Sequence, residues 1–226
     1  EGTVDGDTLF AIASNSKAFT AAALAILVDD GVLDWDDKVI DYLPNFRMMD
    51  AWVTREFTIR DLLTHRSGMG LGAGDLMFWP STEVTRTEII KNIRHLKMVS
   101  GFRTEYAYDN TLYVVAGEVI AAASGQSYEA FVQSRIMNQL AIGDRCLADI
   151  TNLGNVQNVA EPHVTVDGKL EKASRLHEIG DPMIIAAAGG IQCSARSMLK
   201  WMDMHLSDGA GLISKTQHDE MWSPQT

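Results

Sequence analysis

Residues 8–31, TLFAIASNSKAFTAAALAILVDDG, change their pattern once, and that change constrains the fold more than any other stretch of the chain. Leu9 to Ala13 form an apolar run short enough for a buried strand, and Ser16 to Asp30, rich in Ala and Leu, read as a helix. Ser14 stands at the junction, with Lys17 three residues on. Positions i and i+3 share a helical face, so the ammonium can reach the hydroxyl. A helix N-terminus also favours a developing oxyanion. The same dipole, with small apolar neighbours such as Ala13, Ala18 and Ala21, disfavours a charged Lys17 and so makes it a better base. Ser14 is therefore expected to be a nucleophile activated by Lys17. A second Ser-x-x-Lys, Ser197 to Lys200, lies inside the amphipathic pattern Ala195-Met198-Leu199-Met202 with no strand before it, and reads as a surface serine and a solvated lysine.

A group must pass the proton on to a leaving atom. Tyr108-Asp109-Asn110 offers one at the start of a helical pattern. Tyr108 could hold its phenol against Ser14 and Lys17, where a cation stabilises phenolate character. Asn110 has an amide that both donates and accepts, suited to a substrate carbonyl. A half-buried tyrosine and an N-cap asparagine are the plain structural readings of the same residues, and Asn110 can be both.

Composition narrows the function. Apolar residues make up 46% of the 226, enough for a sizeable core, and the formal charge is −11 without a basic block. Nucleic acid and anionic membranes are disfavoured as partners. No apolar run reaches the ~20 residues of a membrane-spanning helix. Cys146 and Cys193 have no metal-ligand spacing; they read as buried thiols, with a single disulfide left open. The opening EGTVDGDT carries neither an initiating Met nor a signal pattern, so a trimmed chain is expected and the compartment stays undetermined.

Further helices are expected at Thr58 to Thr64, with a Thr58/Asp61 cap, at Thr87 to Met98, Asn110 to Ser124 with Gly125 as its stop, Tyr128 to Leu140, Ala195 to Leu206, and from Ser214 with a capping box through Gln217. Residues 66–74 hold four glycines in a loop fit to form a lip. That loop lacks the framing of a phosphate cradle. Residues 148–179 look irregular apart from a hairpin at Val164 to Leu170. Met77, Phe78 and Trp79 offer either an apolar wall or core packing.

Leu9 to Pro44, Leu62 to Gly68, Tyr108 to Gly125 and Ala187 to Arg196 resemble, in order along nearly the whole chain, the serine beta-lactamase-like proteins. These include class C beta-lactamases, family VIII carboxylesterases and D-amino-acid peptidases related to penicillin-binding proteins; Ser-x-x-Lys opens the signature of the penicillin-recognising enzymes. The resemblance implies Ser14 as the acylated nucleophile, Lys17 as its partner, Tyr108 in proton transfer and Asn110 as a contact to substrate and lysine. It implies an α+β fold, an antiparallel sheet packed on helices with a mainly helical region near 45–180, in one domain spanning 1–226. It calls for no metal or organic cofactor.

Two features depart from the family pattern. Asp109 replaces a small residue, and because a carboxylate near Lys17 would raise the lysine pKa, it is expected to face outward. The third family motif, Lys-Thr-Gly or His-x-Gly on a strand, is missing, and Lys215-Thr216-Gln217 reads as surface helix. The sheet is accordingly expected to be incomplete and the chain truncated at both ends. The expected substrate is a small carboxylic ester, a beta-lactam or a D-peptide, with the glycine-rich loop tilting toward esters. A non-catalytic ligand-binding member is the alternative. A Ser-His-Asp hydrolase using His65 is disfavoured, since no Gly-x-Ser-x-Gly elbow occurs.

Overall fold

A computed structural model describes residues 3–173 and 180–225. Strand β1 (Leu9–Ala11) leads through a 3-10 turn, Ala13–Asn15, into α1 (Ser16–Asp29). Short helices follow: α2 (Val39–Tyr42), α3 (Ala51–Glu56), α4 (Ile59–Leu63) and α5 (Arg86–Asn92). The long α6 (Thr111–Ser124) and α7 (Tyr128–Val132) precede β2 (Cys146–Leu147) and the hairpin β3 (His163–Val166) and β4 (Lys169–Lys172). The chain closes with β5 (Gln192–Ser194), α8 (Ala195–Leu206) and α9 (Lys215–Trp222).

β5 pairs antiparallel with both β1 and β2, in the order β1-β5-β2. The resulting small sheet with packed helices is the α+β arrangement anticipated. Phe10 and Cys146 both sit opposite Cys193, and Cys146 is bonded to Cys193 as a disulfide. The two cysteines are thus a pair rather than separate buried thiols, because strand register makes them cross-strand neighbours.

α1 is the central post. Phe19, Ala22, Ala23, Leu24 and Ala25 are fully buried, as are Leu112, Val115, Ala116, Val119 and Ile120 of α6. A π-type turn at Ala186–Gly190 packs on both helices. Polar bonds fix it: Thr20 Oγ1 donates to the Ala187 carbonyl at 2.7 Å, and the Ile191 N–H donates to Ser16 Oγ at 3.2 Å. α6 approaches it at Gly117, where an added Cβ would lie 2.8 Å from the Ala187 Cβ.

Caps end the helices largely where the sequence signals them. Thr58 and Asp61 form a reciprocal capping box, and Gly125 closes α6 at φ +71°. Ser214 accepts from the Gln217 N–H, but Gln217 Oε1 accepts from the Trp35 indole N–H at 2.7 Å, so only half of that expected box forms. The helix expected over Thr87 to Met98 tightens at Ile93 into a 3-10 turn, and that over Tyr128 to Leu140 passes into a π-type turn at Gln133–Met137. The hairpin at Val164 to Leu170 forms, while the last six residues of the irregular region, 174–179, lie outside the described residues. Ser197, expected at the surface, is buried in the first turn of α8, its N–H donating to Oγ of the N-cap Ser194 at 3.2 Å, while the exposed Lys200 donates to the Ala141 carbonyl.

Gly117→Ala exchanges helix propensity, about 1 kcal/mol in favour of Ala, against overpacking that costs about 1–3 kcal/mol. The methyl meets Ala187 head on, so the variant is expected to melt several degrees lower in a thermal unfolding scan. A higher melting temperature would show that the turn at Ala186–Gly190 yields easily.

Candidate active site

Ser14 lies in the 3-10 turn between β1 and α1, exposed, with its backbone held from both sides. The Ile12 N–H donates to the Ile191 carbonyl at 3.1 Å, and Ser16 Oγ donates to the Ala13 carbonyl at 2.7 Å. Ala13 takes φ +46°, a left-handed conformation that costs a non-glycine residue about 1–2 kcal/mol. This is why β1 stops at Ala11 instead of running to Ala13 as the apolar run suggested. The strain turns the chain so that the Ser14 hydroxyl faces Lys17 and Tyr108.

Lys17 is 7% exposed. Its Nζ donates to Asn110 Oδ1 and to the Ala188 carbonyl, each at 2.7 Å, and lies 3.3 Å from Ser14 Oγ. The rings of Tyr108 and Tyr113 stand 4.7 and 5.1 Å from it, in cation–π range. Burial, the largest influence, depresses the Lys17 pKa, against the opposing pull of Tyr108, Asp75 and Asp109. The Tyr108 hydroxyl donates to Ser14 Oγ at 2.7 Å. All four residues singled out in the sequence, Ser14, Lys17, Tyr108 and Asn110, therefore meet in one hydrogen-bonded cluster.

Sequence reasoning missed Asp75, which opens a 3-10 turn, Asp75–Met77, directly after the glycine-rich loop. Its carboxylate accepts from Asn110 Nδ2 at 3.1 and 3.2 Å. Asn110 is thereby oriented, oxygen to the cation and nitrogen to the anion; the flipped amide would oppose like partners at both ends. Burial raises the Asp75 pKa, while Asn110 and Lys17 pull it down. The only local signal was an acid directly after the glycines. Of residues 77–79, Phe78 belongs to the core and Trp79 is exposed.

Asp109 corrects the outward expectation: it is fully buried. The reason is backbone satisfaction. Asn110 occupies the N-cap position of α6 without a side-chain cap bond, its amide being engaged with Lys17 and Asp75, and Asp109 Oδ1 accepts the Leu112 N–H at 3.1 Å instead. Oδ2 has no partner among the described residues. Burial raises the Asp109 pKa to about 7, against the N–H groups of Leu112 and Thr111.

His65 is also placed here, but as support. Its Nδ1 accepts the Asp109 N–H at 3.1 Å, its carbonyl accepts from Ala107 at 2.8 Å, and its ring packs 4.5 Å from that of Tyr108. Burial, with Lys17 adding repulsion, lowers its pKa to about 4. With Nδ1 accepting, the neutral ring carries its proton on Nε2. Around it, the Gly72 N–H donates to the Tyr108 carbonyl at 2.9 Å, and Arg103 pairs with Asp61 at 2.6 Å, fastening the tyrosine loop to α4. Gly68, at φ +89°, admits this loop; a Cβ there would fall 2.9 Å from the Ser100 carbonyl oxygen.

The beta-lactamase family profile matches residues 1–226, and the chain belongs to that family. It is 27% identical over 236 residues to the unguisins hydrolase ungD' of Aspergillus campestris, which covers 99% of this chain and 42% of that one. It superposes on the octameric penicillin-binding protein homologue from Pyrococcus abyssi with a TM-score of 0.82 at 25% identity, over 97% of this chain and 50% of that one. For the D-amino acid amidase of Ochrobactrum anthropi the TM-score is 0.75 at 25% identity, over 95% and 59%. The fold is of the beta-lactamase/transpeptidase type. The chain spans about half the length of these relatives.

Asp109 and His65 give opposite pH dependences. Between its ordinary 3.8 and about 7, Asp109 holds a proton that the unfolded chain has released, so its contribution to stability falls as pH rises through that window. Between about 4 and 6.5 the unfolded chain binds a proton that buried His65 refuses, so the His65 contribution rises with pH. In wild type the two oppose each other over much of this range. Asp109→Asn removes the first, and urea denaturation should show the variant gaining on wild type from pH 4 to 7, by on the order of 3 kcal/mol, then levelling. A difference that does not change with pH would contradict the buried, proton-bearing carboxyl.

Proposed function

We propose that this chain carries the nucleophilic centre of a serine hydrolase that cleaves an ester or amide through an acyl-serine intermediate. The observation that carries the reading is that Lys17 Nζ and Tyr108 Oη both meet Ser14 Oγ, at 3.3 and 2.7 Å. As an ammonium, Lys17 has three donors and three acceptor oxygens around it. Once deprotonated it keeps two N–H bonds, for Asn110 and Ala188, and its lone pair is left facing the Ser14 hydroxyl. Burial favours that neutral form.

In this reading Ser14 Oγ attacks the substrate carbonyl and its proton passes to Lys17. The Ser14 N–H is one donor to the oxyanion. Collapse breaks the bond to the leaving group, which takes a proton through Tyr108. Water then attacks the acyl carbonyl, its proton passing through Tyr108 to Lys17; collapse breaks the bond between Ser14 Oγ and the acyl carbon, and Lys17 returns that proton to Ser14 Oγ as the acid departs. Asn110, held by Asp75, presents its amide to the substrate beside Lys17. The substrate class comprises small carboxylic esters, beta-lactams and D-amino-acid peptides or amides, the last in keeping with the amidase likeness. The second reading is a member that binds such ligands without turnover; the lack of a Lys-Thr-Gly or His-x-Gly motif in these 226 residues fits it and fits a catalytic protein of greater length equally well.

Intact-mass spectrometry after exposure to a fluorophosphonate, and separately to a penicillin, tests both. One adduct per chain is expected in wild type and none in Ser14→Ala. Lys17→Ala and Tyr108→Phe should each slow acylation by about 10²–10⁴-fold. An adduct that persists in Ser14→Ala overturns the nucleophile; ligand retention without any adduct favours the binding reading.

A further inference from the structure

The corner between α8 and α9 holds a cluster that the candidate active site does not use. Asp208, in the turn after α8, and His218 and Asp219, in α9, bring one ligand atom each to within 4.8 Å of one another. The two aspartates are exposed, whereas His218 is only 7% exposed. Neither His218 Nδ1 nor Nε2 has a hydrogen-bond partner among the described residues. A buried imidazole with both nitrogens unmet is rare in folded proteins and calls for a partner. Its Nδ1 points toward the acids, 4.0 Å from Asp219 Oδ1.

The place already draws positive charge. Lys215 Nζ lies 2.8 Å from Asp219 Oδ1 and 3.6 Å from Asp208 Oδ1. A lysine on a flexible stem is a replaceable occupant, and it satisfies the acids without touching the imidazole. A divalent ion can satisfy all three. We propose that Asp208, His218 and Asp219 form a zinc site, with the Lys215 ammonium swung out to solvent when the metal enters.

The donor set decides the metal. One imidazole nitrogen and two carboxylate oxygens suit zinc, while magnesium and calcium take oxygen ligands. Zinc bonds of about 2.0–2.2 Å place tetrahedral ligands roughly 3.4 Å apart, so the three atoms must close by little more than an ångström. Three protein ligands leave a fourth position for water. Gly209 lets the turn come in: a Cβ there would stand 3.1 Å from the His218 Cβ. The metal would tie the turn after α8 to α9 and supply the imidazole with its missing partner.

Isothermal titration of chelator-treated protein with zinc chloride is the test. The expected result is saturable binding of one zinc per chain, weakened at least tenfold in Asp219→Asn and in Asp208→Asn and abolished in His218→Gln. Lys215→Ala should bind more tightly than wild type, because the competing ammonium is gone, and that gain should disappear when His218→Gln is added, whereas a surface that collected zinc non-specifically would keep it. The two aspartate variants change exposed side chains and keep the test decisive if His218→Gln does not fold. Absence of saturable binding in wild type, or equal affinity in wild type and Asp219→Asn, overturns the site.

Discussion

The amine of Lys17 is the point on which the structure converges. It bonds to a carbonyl 171 residues away, at Ala188, and to an amide 93 residues away, at Asn110, while lying beside a hydroxyl three residues before it. A lysine so deeply buried is tolerated only when its donors are met. The turn at Ala186–Gly190, the start of α6 and the serine turn must all be in place for that. Packing and candidate chemistry are therefore one requirement: the contacts that satisfy the amine also set it against Ser14. The neighbouring bonds of Ser16 and Thr20 to the same segment brace α1 from the residues on either side of Lys17.

Around that amine the charges are graded by burial. Asp75 approaches Lys17 through Asn110, and Asp109 sits fully buried behind it with a raised pKa. Burial keeps the Asp109 carboxyl mostly protonated below pH 7, which weakens its pull on the amine, and the burial of Lys17 itself outweighs what remains. Neutral His65 fills the space between Tyr106, Tyr108 and Tyr113 while accepting the Asp109 N–H. It braces the tyrosine side of the cluster, and the Ser-His-Asp arrangement weighed from sequence has no counterpart in these contacts.

Ser14, Lys17, Tyr108 and Asn110 were legible because their chemistry is encoded locally: an i, i+3 pair at a change of period, and a tyrosine and asparagine at a helix start. Asp75 and the Ala188 carbonyl were not, since only the folded chain brings them near. Asp109 was read in reverse because a carboxylate near Lys17 stabilises the ammonium and so works against a neutral, basic amine. The need of the Leu112 N–H for an acceptor outweighed that cost once Asn110 was committed elsewhere. The helices were readable in position and less so in length, as at Ile93 and Gln133, where the regular 3.6-residue turn gives way. The cysteine pair depended on a strand register that no local pattern displays.

The most direct measurement is the titration of the Lys17 side chain itself, followed by NMR and assigned by the signal lost in Lys17→Ala. The account predicts a midpoint well below the ordinary lysine value of about 10.4. A midpoint at or above that value would mean that the surrounding acids and phenols outweigh burial, and that Lys17 does not stand ready to take the Ser14 proton.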